Sequence, residues 1–268
     1  MHIPVDVLSR EETLKAIEQW LLSETAKPKM VVTAYSEFFV TAQKDDEFAR
    51  IMKKADMVTP DGVSVLAAVE YKKGIKNSKA QKLKIWNHLI AGLTVGGKVL
   101  SGKIGETVTG VWLFEELTKR AEKRDWKIFL LGGWDNVSAR TSQILLKRFP
   151  RLRIEWDSGE KLVGTDSKTN SRVIKKINNF KPDILFVSYN PVKQEKWIAS
   201  HLSLLKVRMA MGVGGTFNEY LGEFKKAPEW MERSGLKWLW RVMIEPKRFG
   251  RIFRAVFVFP WLVFKESL

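Results

Sequence analysis

Apolar residues fall along this chain in two kinds of stretch that alternate. In the first kind they recur at helical spacing. Ser9 and Glu12 form a capping box, and Leu14, Ile17, Leu21 and Leu22 repeat behind it. The same pattern returns over residues 45–55, 108–122, 137–149, 171–180 and 193–201. The second kind is short and mainly apolar, at 30–33, 57–59, 127–131, 152–156, 183–188 and 207–213. Strands apolar on both sides and separated by helices predict an α/β fold, a mainly parallel sheet with helices on both faces. Residues 71–106, with a lysine cluster and Gly92, Gly96, Gly97, Gly102 and Gly105, read as the least regular segment, a lid or an insertion. No internal repeat or low-complexity linker interrupts the alternation.

In open α/β sheets ligands bind beyond the carboxyl ends of the strands. Five such ends become candidate site positions: Thr33 to Glu37, Pro60-Asp61-Gly62, Gly132-Gly133-Trp134, Ser188-Tyr189-Asn190, and Gly212 to Thr216. Glycine pairs after strands let backbone N–H groups approach a phosphate. Gly132 and Gly133 fit that role or a tight strand-to-helix connection, whereas Gly214 and Gly215 favour ligand contact. Asp61, held in a Pro-Asp-Gly turn, fits either a general base for a hydroxyl nucleophile or a helix cap. Gln194 and Glu195 open a helix, so one can face the pocket while the other caps the turn.

Charge then narrows the partners. The 268 residues carry 46 Lys and Arg against 30 Asp and Glu, a net charge of +16, which suits a polyanionic partner. No cysteine is present, which excludes disulfides, thiolate metal sites and a cysteine nucleophile. The three histidines, His2, His88 and His201, lie far apart, and no convincing Asp-x-Asp occurs because Asp45-Asp46 begins a helix. No metal and no cofactor is expected, and without Gly-x-Gly-x-x-Gly after a strand a nicotinamide dehydrogenase is disfavoured. The aromatic and basic residues Trp238, Trp240, Arg241, Lys247, Arg248 and Arg251 precede an apolar end at 255–264. That grouping fits an anionic membrane surface better than nucleic acid. Packing of this tract onto the core is the alternative, and a membrane or, in a homo-oligomer, a partner subunit would cover its apolar residues. No apolar run approaches the roughly 20 residues needed to span a bilayer, and no signal-peptide h-region is visible, so a cytoplasmic, peripherally bound protein is expected.

Six stretches of the core, TAYSE (33–37), AQKDDEFARIMKKADMVTPDGV (42–63), TGVWLFEEL (109–117), FLLGG (129–133), LFVSYNPVKQEKWI (185–198) and MGVGGTF (211–217), resemble the WecG/TagA/CpsF family of bacterial glycosyltransferases. So does KKAPEWMERSGLKWLWRVMIEPKRFGR (225–251), and the resemblance runs in order over nearly the whole chain. It implies a Rossmann-like core over residues 1–222 and a helical, membrane-associating appendage over 223–268. It also implies inverting transfer of a sugar from a UDP-sugar donor to a polyprenyl-diphosphate-linked acceptor at the inner face of the plasma membrane. By position, Asp61 matches the family's proposed base and Thr33 a substrate-contacting threonine. Gln194 and Glu195 match its Gln-Glu pair near the sugar nucleotide, and Arg241, Arg248 and Arg251 fall in its appendage.

Three departures accompany the matches. Tyr35 stands where the family has Asn. Thr107 and Trp112 replace the Arg and Asp of an Arg-Val-x-Gly-x-Asp run, and Asn190 begins the segment where the family shows Gly-x-Pro-x-Gln-Glu. These changes point to a different donor or acceptor, the alternative being a catalytically degenerate member of the family.

Overall fold

A computed structural model of the protein describes residues 3–23, 27–77, 84–159, 167–222, 228, 231, 240, 243, 250 and 253–268. Among them six strands form one sheet: β1 (Lys29–Ala34), β2 (Met57–Pro60), β3 (Lys127–Gly132), β4 (Arg153–Asp157), β5 (Ile184–Ser188) and β6 (Met209–Gly212). Their order is β2-β1-β6-β5-β3-β4, and every neighbouring pair is parallel. The α/β architecture expected from the alternating pattern is therefore the one that forms. Strand β5 is buried at every position, as a strand covered on both faces must be, while the edge strand β4 turns Arg153 and Trp156 to solvent.

Two helical layers cover the sheet. Helices α1 (Arg10–Leu22), α6 (Gly110–Arg124), α7 (Val137–Arg148) and α10 (Thr216–Tyr220) pack on the face that presents Val31, Met57, Ile128, Leu130, Ile184 and Phe186. The other face presents Met30, Val32, Val58, Phe129, Leu131 and Leu185 to α2 (Ser36–Ala42), α3 (Asp46–Lys54), α8 (Ser167–Phe180) and α9 (Lys193–His201). This division follows from handedness. The connections β1 to β2, β4 to β5 and β5 to β6 run one way along the sheet and all use the second face. The connections β2 to β3 and β3 to β4 run the other way and use the first. Loops after neighbouring strands thus leave in opposite directions, which opens crevices at the carboxyl edge.

Residues 71–106 correct the expectation of an irregular segment. They contribute most of a helical hairpin, α4 (Val63–Asn77) and α5 (Lys84–Leu100). Its glycines do not break the helices: a Cβ on Gly74 would stand 3.5 Å from the Ala91 Cβ, where the two helices meet through small residues, while Gly92, Gly96 and Gly97 have open space around them. Tyr71 Oη lies 2.7 Å from His88 Nδ1, and Glu70 pairs with both Lys73 and Lys98.

A π turn over Arg254–Val258 leads into a C-terminal helix, Phe259–Ser267, with Pro260 in its first turn. Phe259 and Val263 are buried against Val40, with Phe39 and Tyr71 alongside. Polar contacts fasten the same side: Arg254 to Glu37 at 3.0 Å, and Lys72 and Gln43 to Glu266, each at 2.8 Å. Phe253, Phe257 and Trp261 remain exposed. The apolar end is thus two-sided, docked on α2 and α4 with one flank while aromatics project from the other. No helix among the described residues is long and apolar enough to cross a membrane.

Deleting a buried phenyl ring removes its transfer energy and leaves a cavity. Phe259→Ala should therefore lower stability by about 3 kcal/mol in urea unfolding, while Phe257→Ala on the exposed side should stay within about 0.5 kcal/mol.

Candidate active site

The end of β2 carries Asp61 to the sheet edge. Its N–H donates to the Ala34 carbonyl at 2.9 Å, which ties it to the end of β1. Its Oδ2 accepts from the N–H of Gly110 at 3.1 Å, the first residue of α6. The returning chain is pinned there: the Val108 N–H donates to the Pro60 carbonyl at 3.1 Å, and Thr59 Oγ1 donates to the Val108 carbonyl at 3.0 Å. A Cβ on Gly110 would stand 3.0 Å from Thr33 Oγ1 and 3.7 Å from Asp61 Oδ2. Thr33, Asp61 and Gly110 therefore converge, and a side chain at position 110 would press on Thr33.

Gly110 was absent from the predicted set. A signal existed in Thr109-Gly110 ahead of a helical pattern, since Thr109 Oγ1 caps α6 by accepting from the Trp112 N–H at 3.3 Å. Trp112 puts its ring against Arg10 of α1, whereas the Arg10 bond at position 107 goes to the backbone and does not depend on the side chain there. The Arg10 guanidinium lies 5.0 Å from the Trp112 ring centre, and Arg10 Nε donates to the Thr107 carbonyl at 3.1 Å.

At the same carboxyl edge, after β1 and β5, lies a shallow cleft of about 240 Å³ lined by Tyr35, Glu37, Phe38, Thr41, Asn190, Pro191 and Val192. It brings together Tyr35 and Asn190, two predicted site residues that are 155 positions apart (190 minus 35). Val192 adopts φ 73° and ψ −47°, a conformation that β-branched residues rarely take and that costs on the order of 1–3 kcal/mol. The Glu195 carboxylate holds it there by accepting the Val192 N–H at 2.7 Å.

Gln194 and Glu195 lie beneath this rim, only 3% and 1% exposed. Gln194 Nε2 donates to Glu195 Oε1 at 2.7 Å, and Gln194 Oε1 accepts the Gly214 N–H at 3.0 Å. Glu195 therefore caps the turn after β5, while Gln194 binds the turn after β6. Space for them exists because position 212 lacks a side chain: a Cβ there would stand 2.4 Å from Gln194 Nε2 and 2.5 Å from Glu195 Oε1. Burial disfavours the charged form of Glu195 and outweighs its hydrogen bonds, pushing its pKa up to about 7.

The predicted glycines divide by surroundings. A Cβ on Gly132 would stand 2.5 Å from the Ser188 carbonyl oxygen, and one on Gly133 would stand 2.9 Å from Val137 Cγ1. Both glycines have positive φ, and the Gly133 N–H is bonded to the Ser188 carbonyl at 3.0 Å. Their packing accounts for them as a tight connection. Gly214, at φ 52°, has open space where a side chain would be, and its carbonyl accepts Ser188 Oγ at 2.6 Å. Gly215 sits at the start of α10. Arg241, Arg248 and Arg251, with Trp238 and Lys247, lie outside the described residues.

This carboxyl-edge arrangement can be compared with known proteins. The model of the glycosyl transferase WecG/TagA/CpsF family matches residues 1–94 and 91–268. The chain belongs to this family. Its similarity to N-acetylglucosaminyldiphosphoundecaprenol N-acetyl-beta-D-mannosaminyltransferase of Staphylococcus aureus strain MRSA252 is 24% identity over 267 residues, covering 100% of this chain and 92% of the relative. Proteins of the same name from strains NCTC 8325 and COL show the same 24% identity and the same coverage. The two matched segments of the family model meet inside α5.

Glu195 gives a pH signature with a definite sign. Its folded pKa near 7 lies above the ordinary 4.5, so the stability it contributes is full below about pH 4.5 and is lost as pH rises through 7. Between pH 5 and pH 8 the parent chain should lose about 2–3 kcal/mol relative to Glu195→Gln, measured by denaturant unfolding at both pH values. A pH-independent difference between the two would refute the burial of an ionisable group there.

Proposed function

We propose that the protein is an inverting glycosyltransferase. On this reading it moves a hexose or N-acetylhexosamine, of N-acetylmannosamine type, from a UDP-sugar to a polyprenyl-diphosphate-linked saccharide during cell-surface polysaccharide or teichoic acid synthesis. The observation that carries this reading is the convergence of Thr33, Asp61 and Gly110 at the carboxyl edge of the sheet in a chain of this family. The name of the relatives supports it, because it specifies a β-linked N-acetylmannosaminyl product and an acceptor built on diphosphoundecaprenol. A β-linked product from an α-linked nucleotide sugar requires one displacement and therefore a single base.

Asp61 takes that role. Its carboxylate removes the proton of the acceptor hydroxyl as that oxygen forms a bond to the anomeric carbon. The bond from that carbon to the UDP oxygen breaks, and the electron pair leaves with the diphosphate. The Gly110 N–H fixes the carboxylate through Oδ2. The cleft between Tyr35 and Asn190 receives the donor sugar, and the open turn at Gly214 and Gly215, tied to Ser188 and Gln194, contributes to the donor site. Gln194 and Glu195 act through the two loops they hold, as positioning residues. In the appendage, residues 223–268, Arg241, Arg248 and Arg251 meet the lipid diphosphate with guanidinium forks. The enzyme works bound to the inner face of the plasma membrane, where its acceptor lies.

Removing a general base typically costs a hundredfold to ten-thousandfold in rate. Asp61→Asn should lower turnover by roughly 10²- to 10⁴-fold while titration calorimetry with UDP and UDP-N-acetylhexosamines shows donor affinity within about threefold of the parent. Full turnover in that variant, with a confirmed lipid-linked acceptor, would remove Asp61 from the mechanism.

A further inference from the structure

Helix α5 is built inside out for a protein surrounded by water. At about 100° per residue, Trp86, Leu89, Ile90, Leu93 and Leu100 fall within about 100° of arc. All five are exposed, from 52% to 91%. The opposite side carries the buried His88 and Ala91, which pack on α4 and on Phe264 of the C-terminal helix. The helix is therefore held firmly by one face while the other presents only apolar side chains. Contiguous apolar surface of this kind marks an interaction site.

Charge identifies the occupant. From Tyr71 to Gly105 the sequence contains eight lysines and no Asp or Glu. Lys73 and Lys98 pair with Glu70, and Lys72 pairs with Glu266, while Lys76 and Lys103 are exposed. A twofold contact with another copy would set this lysine-only segment against itself, which like charges oppose. An anionic lipid surface matches both properties, with apolar side chains entering the headgroup boundary and lysines meeting its charge. The helix has 17 residues and is about 26 Å long, short of the span a bilayer core requires, so it lies in the interface plane.

We propose that α5 is a membrane-docking helix whose outer face lies in the headgroup layer of an anionic bilayer, placing Asp61 at the membrane surface. The hairpin is anchored for this purpose. α4 begins two residues after Asp61, and the chain that follows α5 returns to the same carboxylate through Gly110. A docked α5 therefore sets the height of the candidate base above the lipid. The purpose of that placement rests on the proposed transfer reaction, but the docking itself does not.

The absence of cysteines allows a direct test. Leu93→Cys, labelled with an environment-sensitive nitrobenzoxadiazole probe, is mixed with vesicles of phosphatidylglycerol and phosphatidylcholine, or of phosphatidylcholine alone. The emission should shift to the blue with the anionic vesicles only, and high salt should reverse it. The same label at the exposed Lys147→Cys on α7 should not respond. Leu89→Gln combined with Leu93→Gln should reduce vesicle partitioning by about tenfold or more, with unchanged thermal midpoint and unchanged mass in light scattering. An unresponsive label at position 93, or undiminished partitioning of the double variant, overturns the proposal. Conversion of a dimer to a monomer by the double variant would overturn it in favour of a second copy. Neither readout uses donor or acceptor, so an unresponsive label at position 93 in a protein that still transfers sugar would sink this inference alone. Intact docking without transfer would sink only the proposed reaction.

Discussion

Every strand of the sheet runs in the same direction, and the rest of the molecule is arranged around that constraint. A parallel neighbour can be reached only by a crossover, so each strand is followed by a helix on one face or the other. Uniform handedness assigns those helices by direction of travel, and all six carboxyl ends arrive at one edge. Groups as distant in sequence as Thr33, Asp61, Asn190 and Gly214 become neighbours without any long-range device beyond the pairing itself. The edge is also where backbone groups lack ladder partners, and there Asp61, Ser188 and the Gln194–Glu195 pair make their hydrogen bonds.

The Gln194–Glu195 pair shows how an interior polar network can govern a rim. Its members reach the turn after β5 through the Val192 N–H and the turn after β6 through the Gly214 N–H. The strained backbone at Val192 is held by a group whose ionisation is itself disfavoured by burial. Cleft shape and protonation beneath it are thereby linked through a single carboxyl group. The C-terminal helix reaches the same cleft from outside, since its preceding turn places Arg254 on Glu37, a cleft-lining residue.

The sheet was legible because buried parallel strands leave an unmistakable trace, short runs such as Ile128 to Leu131 with no polar position. Turn chemistry likewise pointed to Asp61. What the spacing of residues does not contain is the approach of backbone from elsewhere. Gly110 lies 49 positions beyond Asp61, and its importance arises only when α6 starts against that carboxylate. Gly212 carries meaning only because Gln194 and Glu195 fill the space above it. Helix α2 escaped notice because Phe38, Phe39 and Val40 form an apolar run without helical periodicity. The hairpin α4–α5 escaped for two reasons. Its glycines suggested loops, and the outward apolar face of α5 removed the contrast by which a water-facing helix is recognised.

The way that hairpin is tethered has a further meaning in chain entropy. Its two ends are fixed at almost one point, Asp61 at the start and Gly110 at the return. For a segment closed in this manner, the entropy of closure grows only with the logarithm of its length, about 0.6 kcal/mol for each doubling. The sheet and the carboxylate are thus insulated from what is strung between those two residues. Lengthening or exchanging the excursion leaves the carboxyl edge in place while giving the same carboxylate a different surface on which to stand.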